Sequence, residues 1–411
     1  MENLVPSHNF KSKQQTKQLA FVVPRYGQEI GGGAETLVRT LAEHLCARGD
    51  SIQIWTTCAK DNRAWANEFP AGKTVEQGIE VWRFPVNDRN LERWVPLQIN
   101  ISEGMNLSLE DQLDWMAESV NSAGLYDHIA SQADSVDAIF FAPYLFGTTF
   151  WGSLIRPDKS ILIPCLHNES YAYIDIIQSM FRQVKGCIFN AIPEQELACA
   201  LYGNTVGAEV GMGFEPFQIA YVDQLTPYFL EERPYLLYMG RKETGKNVQV
   251  LLDAFILGKE RGKIQSELKL VIAGGGSFED LHRPEALDRE DIVDLAHVSE
   301  KDKHRLIKHA LCLCQPSVNE SFSIVLMEAW ALGTPVVVHS NCAVTRYHVS
   351  KSGGGLYFAT PQEFAGVIEL MQAEPSIRSE MAAAGKSYVD CVYSWEAVLD
   401  RFNQALELLG V

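Results

Sequence analysis

Two doubly wound α/β domains are what this sequence predicts, on three observations. The chain has 411 residues, more than one hydrophobic core usually serves, and 46% of them are apolar, enough for two cores. Short apolar runs recur along it, separated by helical patterns. Most of these runs are nearly continuous rather than alternating, as a parallel sheet covered on both faces requires.

The opening MENLVPSHNFKSKQQTKQ, residues 1–18, is polar and holds no apolar stretch of signal-peptide length, so it reads as a flexible leader. A first domain is expected over 19–222, with strands in LAFVVP (19–24), SIQIWTT (51–57), AIFFA (138–142), ILIPCL (161–166) and GCIFN (186–190). The pattern lapses between MGFEP (212–216) and Tyr235, which makes 223–234 a linker and hinge. The second domain, 235–394, carries YLLYMG (235–240), LKLVIAGGG (268–276), DIVDLAHV (291–298), ALCLCQPS (310–317), TPVVVHS (334–340) and GGGLYF (353–358). A last helical stretch over 395–411 follows once those strands are complete, and is expected to cross back onto the first domain.

The uncharged segment Ala138 to Ile155 approaches the length of a membrane span, but Pro143, two glycines, two threonines and a serine break it into strand, loop and helix start. A formal net charge of −17 argues against a broad nucleic-acid footprint, which needs clustered Lys and Arg. Nine cysteines without a C-x-x-C pair read as reduced thiols of a cytoplasmic protein.

In open α/β sheets ligands bind beyond the carboxyl ends of the strands, so the loops that follow strands hold the candidate chemistry. After the first run, Gly31, Gly32 and Gly33 precede an amphipathic helix with Leu37, Leu41 and Leu45; glycines let backbone approach a ligand, and a helix N-terminus favours an anion. Thr36 stands where a dinucleotide fingerprint needs its third glycine, which disfavours a nicotinamide or flavin site. Residues 240–246 spell G-x-x-x-x-G-K, but Asn247 replaces the hydroxyl of a Walker A loop. What survives is a pair of cations, Arg241 and Lys246, suited either to a diphosphate or to a solvated turn. His167 follows a buried run and suits hydrogen bonding to substrate, acid–base work or a structural role. No convincing metal-ligand spacing occurs, so no protein-held metal is expected.

The fourth loop, ESFSIVLMEAWALGTPVV (320–337), sets Glu320 and Glu328 around seven uncharged residues. Ser321 or Ser323 is expected to cap a helix through Ile324, Val325, Leu326 and Met327, whose free amides form an anion site. Glu328 then lies about 7–8 Å further along the axis at ~1.5 Å per residue. Two solvent-facing glutamates on an ordinary amphipathic helix are the alternative.

Glu320-x7-Glu328 followed by AWALGTPVV, the G-R-x4-K of Gly240, Arg241 and Lys246, the loop Gly32-Gly33-Ala34-Glu35 and His167 together resemble a known family. They are similar to the GT-B glycosyltransferases of the glycosyl transferases group 1 type, glycosyltransferase family 4, from about Leu19 to the C-terminal helix. The resemblance implies two Rossmann-like domains about a central cleft. It also implies a retaining, metal-independent hexosyltransferase without further cofactor, moving a sugar from a UDP- or GDP-sugar to a saccharide or lipid-linked acceptor, commonly in bacterial polysaccharide or glycolipid biosynthesis. By the same resemblance Arg241 and Lys246 neutralise the donor diphosphate, and Glu320 holds sugar hydroxyls with amides around Phe322, Ser323, Ile324 and Val325. Glu328 holds the ribose, the loop at His297 and Val298 borders the base, Gly32 and Gly33 close over the diphosphate, and His167 contacts the sugar. A cytoplasmic location, with peripheral contact to the membrane face for a lipid-linked acceptor, fits this employment; a nucleic-acid partner does not. A nucleotide-sugar epimerase and a catalytically silent nucleotide-sugar-binding protein share the layout. Two departures stand out: Ser323 where the family often has glycine, and Met212-Gly213 where Asn-Gly is common. The stretch DRNLERWVPLQINISEG (88–104) reads as a loop and matches no acceptor site.

Overall fold

A computed structural model of the chain describes residues 16–203, 205–229 and 234–411. Most of the expected leader, and residues 230–233 of the expected hinge, lie outside the described residues.

Two sheets form. The first contains β1 (Gln18–Val23), β2 (Ser51–Thr57), β3 (Gly72–Glu76), β4 (Ile79–Phe84), β5 (Ala138–Phe141), β6 (Ser160–Leu162), β7 (Gly186–Phe189) and β8 (Gly207–Glu209), in the order β3-β4-β2-β1-β5-β6-β7-β8. Its neighbours are parallel except β3 and β4. The second contains β9 (Tyr235–Met239), β10 (Lys269–Ala273), β11 (Ile292–Leu295), β12 (Cys312–Gln315), β13 (Val336–His339) and β14 (Gly355–Phe358), all parallel, in the order β11-β10-β9-β12-β13-β14. Strand order reverses between β1 and β5 and again between β9 and β12. Those two switch points are where an open parallel sheet leaves a crevice at its carboxyl edge, and helices crossing from strand to strand cannot cover it. The architecture is the GT-B arrangement that the motifs implied.

The apolar runs lie in the strands, and Ala138 to Ile155 becomes β5, a loop and the helix Gly147–Ser153. Among the described residues no helix is long and apolar enough to cross a membrane. Three strands lay outside the sequence expectation. β3 and β4 form a hairpin through Gln77 and Gly78, both at positive φ (50° and 81°), as a two-residue turn requires; β3 is exposed for most of its length and carries no apolar run. β8 has three half-buried residues. A further correction concerns residues 88–104, which are mostly helix. Leu91–Ser102 is helical, with the Asn90 side chain accepting from the Arg93 amide, and Leu109–Ala117 follows under a Ser108 cap. Pro96, inside the first of these helices, is what hides it in the sequence.

Described residues of the expected hinge are bound to the second domain. Arg305 donates to the carbonyls of Thr226 (3.0 Å) and Pro227 (2.7 Å), and His309 Nε2 to that of Leu225 (2.7 Å). The helix Trp395–Leu408 lies against the first sheet: Phe402 packs on Phe140 at 5.4 Å between centroids, and Arg48 reaches Asn403 Oδ1 at 2.7 Å. Its first residue explains a glycine. A Cβ on Gly213 would stand 2.3 Å from the Trp395 ring, so only a bare backbone fits beneath that helix.

Two outcomes follow from this packing. Phe402 is fully buried, so Phe402→Ala is expected to cost about 3–5 kcal/mol, read as a lower midpoint in urea unfolding. His348 is fully buried among Phe322, Tyr388 and Tyr393, and burial pushes its pKa down from 6.5 to about 3. A depressed folded-state pKa gives stability that is complete above the unfolded value near 6.5 and is lost as pH falls toward 3. Removing the titrating group in His348→Leu should therefore flatten the acid side of the stability profile by up to one proton, about 1.4 kcal/mol per pH unit. An unchanged slope between pH 6 and 4 would refute the assignment.

Candidate functional site

The carboxyl-edge loops of both sheets meet in one cleft with two overlapping lobes of about 990 and 820 Å³. Gly31, Gly32 and Gly33 after β1 and Pro143 after β5 face Arg241 and Lys246 after β9, and Glu320 with Ser323–Val325 after β12; all of these line both lobes. His167, Phe322 and Glu328 line the smaller lobe, and His297 and Gln315 the larger. Eleven of the twelve expected site residues therefore come together. Val298 does not: it packs against the apolar core, and its neighbour His297 is the residue of that loop that reaches the cleft.

Local backbone explains several placements. Lys246 ends a short 3-10 turn, Thr244–Lys246, and Asn247 follows in the left-handed region at φ 59°, with its side chain donating to the Pro316 carbonyl at 3.0 Å. The residue that spoils a Walker A motif thus ties the Lys246 turn to the loop bearing Glu320. Lys242, between the two expected cations, is buried and turns away, its Nζ bonded to the Gly274 carbonyl (2.6 Å) and Asp294 (2.8 Å). The helix after β12 runs Ile324–Ala331, and neither serine caps it as expected. Ser323 sits at its start at φ 71°, a left-handed conformation that glycine adopts without strain, and no side chain caps that end. Its Oγ is buried without a hydrogen-bond partner, and so is Gln315 Oε1.

The carboxylates of the cleft are paired with cations. Lys246 Nζ lies 2.8 Å from Glu320, Arg241 lies 3.0 Å from Glu243, and Arg25 pairs with Glu35 beside the glycine loop. Lys303 Nζ lies 2.8 Å from Glu328 and 2.7 Å from Glu300. Burial pushes the Glu328 carboxyl above its usual range against the pull of Lys303; burial also draws Lys303 down, but Glu328 and Glu300 outweigh it and hold the ammonium charged. His167 Nδ1 stands 3.5 Å from Glu169, which also accepts from Tyr144 at 2.9 Å. Burial raises the Glu169 pKa, yet those two partners together leave it below the ordinary value. Glu194, wholly buried, accepts the amides of Leu166 and Asn190 at 2.5 Å each and so fixes the chain just before His167. Lys303 and Glu194 carry no motif in the sequence, and only the fold brings them to the residues they support, whereas Glu169 stands two positions after His167. Among the described residues no three His, Cys, Asp or Glu side chains gather as metal ligands.

Residues 227–388 match the family model of the glycosyl transferases group 1. The chain is 30% identical to a D-inositol 3-phosphate glycosyltransferase of Streptomyces avermitilis, over 42% of this chain and 40% of that protein. It thus spans well under half the length of that relative. An uncharacterized glycosyltransferase of Methanocaldococcus jannaschii is 28% identical over 96% of this chain and all of its own length. In fold, Anabaena HepE, solved in complex with UDP-glucose, superposes with a TM-score of 0.68 at 14% identity, covering 95% of this chain and 99% of that one.

Ser323 supplies a test of the local geometry. Ser323→Gly relieves a left-handed serine (~1–2 kcal/mol) and removes a buried unpaired hydroxyl (~1–3 kcal/mol), less ~0.5–1 kcal/mol of glycine entropy. The ligand-free protein should gain about 1–4 kcal/mol, seen as a higher thermal midpoint, and a loss of stability would contradict the strained geometry.

Proposed function

We propose a function from one premise: the second half of this chain is a glycosyl transferases group 1 domain set in a GT-B fold. The protein is a glycosyltransferase that takes its sugar from a nucleoside-diphosphate donor, UDP- or GDP-linked, and passes it with retention to a saccharide or lipid-linked acceptor. Its setting is cytoplasmic polysaccharide or glycolipid assembly. The observation that carries this reading is the convergence, in one cleft, of Arg241, Lys246 and Glu320 with the start of the Ile324–Ala331 helix, facing Gly32, Gly33 and His167 from the other domain.

When the glycosidic bond to the diphosphate breaks, negative charge builds on the departing phosphate. Arg241, more than half exposed and paired with Glu243, and Lys246, partly exposed, stand ready to meet it, together with free amides at the helix start. Because these cations neutralise the leaving group, the proposed reaction uses no metal and no cofactor beyond the donor. Glu320 accepts hydroxyls of the transferred sugar, Glu328 those of the ribose, and His167, steadied by Glu169, contacts the sugar from the opposite wall. Every glutamate lining the cleft is paired with a cation: Glu29 with Lys60, Glu35 with Arg25, Glu243 with Arg241, Glu300 and Glu328 with Lys303, and Glu320 with Lys246. None stands free as a covalent nucleophile, which favours same-face attack with a donor phosphate oxygen taking the acceptor's proton.

The test is nucleotide release from a panel of UDP- and GDP-sugars, with the anomeric configuration of the product read by NMR. Retention is expected, and Arg241→Ala and Lys246→Ala should each lower kcat/KM by about 10²–10³-fold, the usual effect of removing a group that stabilises developing charge. A protein stabilised by nucleotide-sugars that releases no nucleotide would instead be a silent binder, and an epimerised donor without transfer would make it an epimerase.

A further inference from the structure

The stretch 88–104, for which the sequence offers no role, enters the larger lobe of the cleft. Its helix and the turn before it supply Arg89, Trp94 and Gln98 to the wall contributed by the first domain, across from Gly240, Arg241 and Glu320. The Arg89 guanidinium carbon lies 4.9 Å from the Trp94 ring centre, and its Nε donates to the Glu118 carbonyl at 3.0 Å, its sole hydrogen bond among the described residues. Trp94 Nε1 is buried without a partner. Behind them Trp115 donates to Gln98 at 2.7 Å and Gln98 donates to the Tyr171 hydroxyl at 2.5 Å, while the Trp115 and Tyr171 rings stack. The wall is therefore aromatic, hydrogen-bonded and fixed before anything binds.

Its charge is the telling feature. On the first-domain side the lobe is lined by three arginines, Arg25, Arg63 and Arg89, against one carboxylate, Glu35, which is taken by Arg25. Arg63 and Arg89 have no ion-pair partner among the described residues, with Glu118 and Asp61 acting on them only at longer range, so this wall presents unpaired cations in a chain of net charge −17. On the donor side Arg241 and Lys246 are already balanced by Glu243 and Glu320. Fixed aromatic faces suit the C–H face of a sugar ring at little entropic cost, and a guanidinium fork suits a phosphate or carboxylate. Arg89 is half-buried, so burial draws its pKa down against the pull of Glu118, and an anion beside it would restore the lost solvation.

We propose that this wall is the acceptor subsite and that the acceptor is a saccharide carrying a phosphate or carboxylate, its ring laid on Trp94 and its anion held by Arg63 and Arg89. The inference rests on the glycosyltransferase reading above and names the substrate class of that same cleft. A free sugar phosphate and the headgroup of a lipid-linked sugar diphosphate share this chemistry.

Titration calorimetry on the full chain, saturated with UDP or GDP, tests it with glucose, glucose 6-phosphate, glucuronate, inorganic phosphate and a farnesyl diphosphate-linked monosaccharide in micelles. At least one anionic sugar should bind tenfold or more tightly than glucose; the free and farnesyl-linked probes distinguish the two sources. Arg63→Gln with Arg89→Gln should abolish that preference, and Trp94→Ala should weaken the sugar phosphate while leaving inorganic phosphate unchanged. Glucose binding as tightly as every anionic probe, no anionic sugar binding at all, inorganic phosphate matching the sugar phosphate, or a double variant with its preference intact would each overturn the proposal. Nucleotide binding separates the two readings: wild-type protein that binds neither UDP nor GDP removes the glycosyltransferase reading, whereas nucleotide binding without anionic preference removes this subsite alone.

Discussion

Lys303 is the charge on which the donor-side wall depends. Glu328 projects from the Ile324–Ala331 helix into a half-buried position on the cleft wall, and a carboxylate there without a partner would carry part of its desolvation cost uncompensated. The ammonium of Lys303, shared between Glu328 and Glu300, supplies the partner. The same helix, Glu300–Lys308, holds Leu225, Thr226 and Pro227 of the hinge through Arg305 and Lys308, with His309 just beyond it. One short element thus fixes both a carboxylate of the cleft and the chain segment that joins the two domains. Its residues are ordinary Lys, Arg and His on a charged helix, and nothing about them individually announces that duty.

A second constraint sets where the two sheets stand. One continuous apolar cluster includes Leu19 and Phe140 of the first domain, Leu237 and Trp330 of the second, and Trp395, Val398, Phe402 and Leu406 of the terminal helix. Burying a side chain such as Phe402 is worth roughly 1.5–3 kcal/mol relative to exposing it, so the terminal helix anchors the chain end firmly to the first sheet. The helix packs on a face of the first sheet through Phe402 on Phe140, and the switch points open at the carboxyl ends of the strands. The site is therefore a consequence of strand order together with a clamp that joins the two domains, and its loops owe little to each other's local propensities.

Legibility in the sequence followed from how each element is stabilised. Strands such as Leu236, Leu237 and Tyr238 are buried on both faces and announce themselves as apolar runs. β3 gains its place by pairing at a sheet edge, and its exposed residues leave no such signal. The Leu91–Ser102 helix was hidden twice, by Pro96 and by exposed apolar residues Leu91, Val95 and Ile99 that blur its amphipathic face. Arg241, Lys246, Glu320 and Glu328 were legible because fixed spacing after a strand is itself the signal. Lys303, Arg89 and Trp94 reach the cleft, and Glu194 supports the chain before His167 from behind it, through long-range placement that no spacing within one segment encodes. His297 and Val298 mark the limit of resolution: the loop could be picked out, but which of two adjacent side chains faces the cleft depends on strand end geometry.

Ser323 shows how a departure from a family pattern can be read physically. A glycine there would take φ 71° freely, whereas serine takes it at a cost and adds a hydroxyl that the fold leaves buried and unbonded. Gln315, which lines the same lobe, also keeps an unbonded oxygen. Strain and unsatisfied polar atoms are penalties that folding alone selects against, and they are tolerated where surrounding structure over-determines them and a ligand completes the hydrogen bonding. Both residues flank Glu320, whose partner Lys246 is fixed through the turn tied down by Asn247. Both atoms thus lie on the wall of the cleft that carries Glu320, and on the proposed reading the hydroxyl groups of a bound sugar supply the bonds they lack.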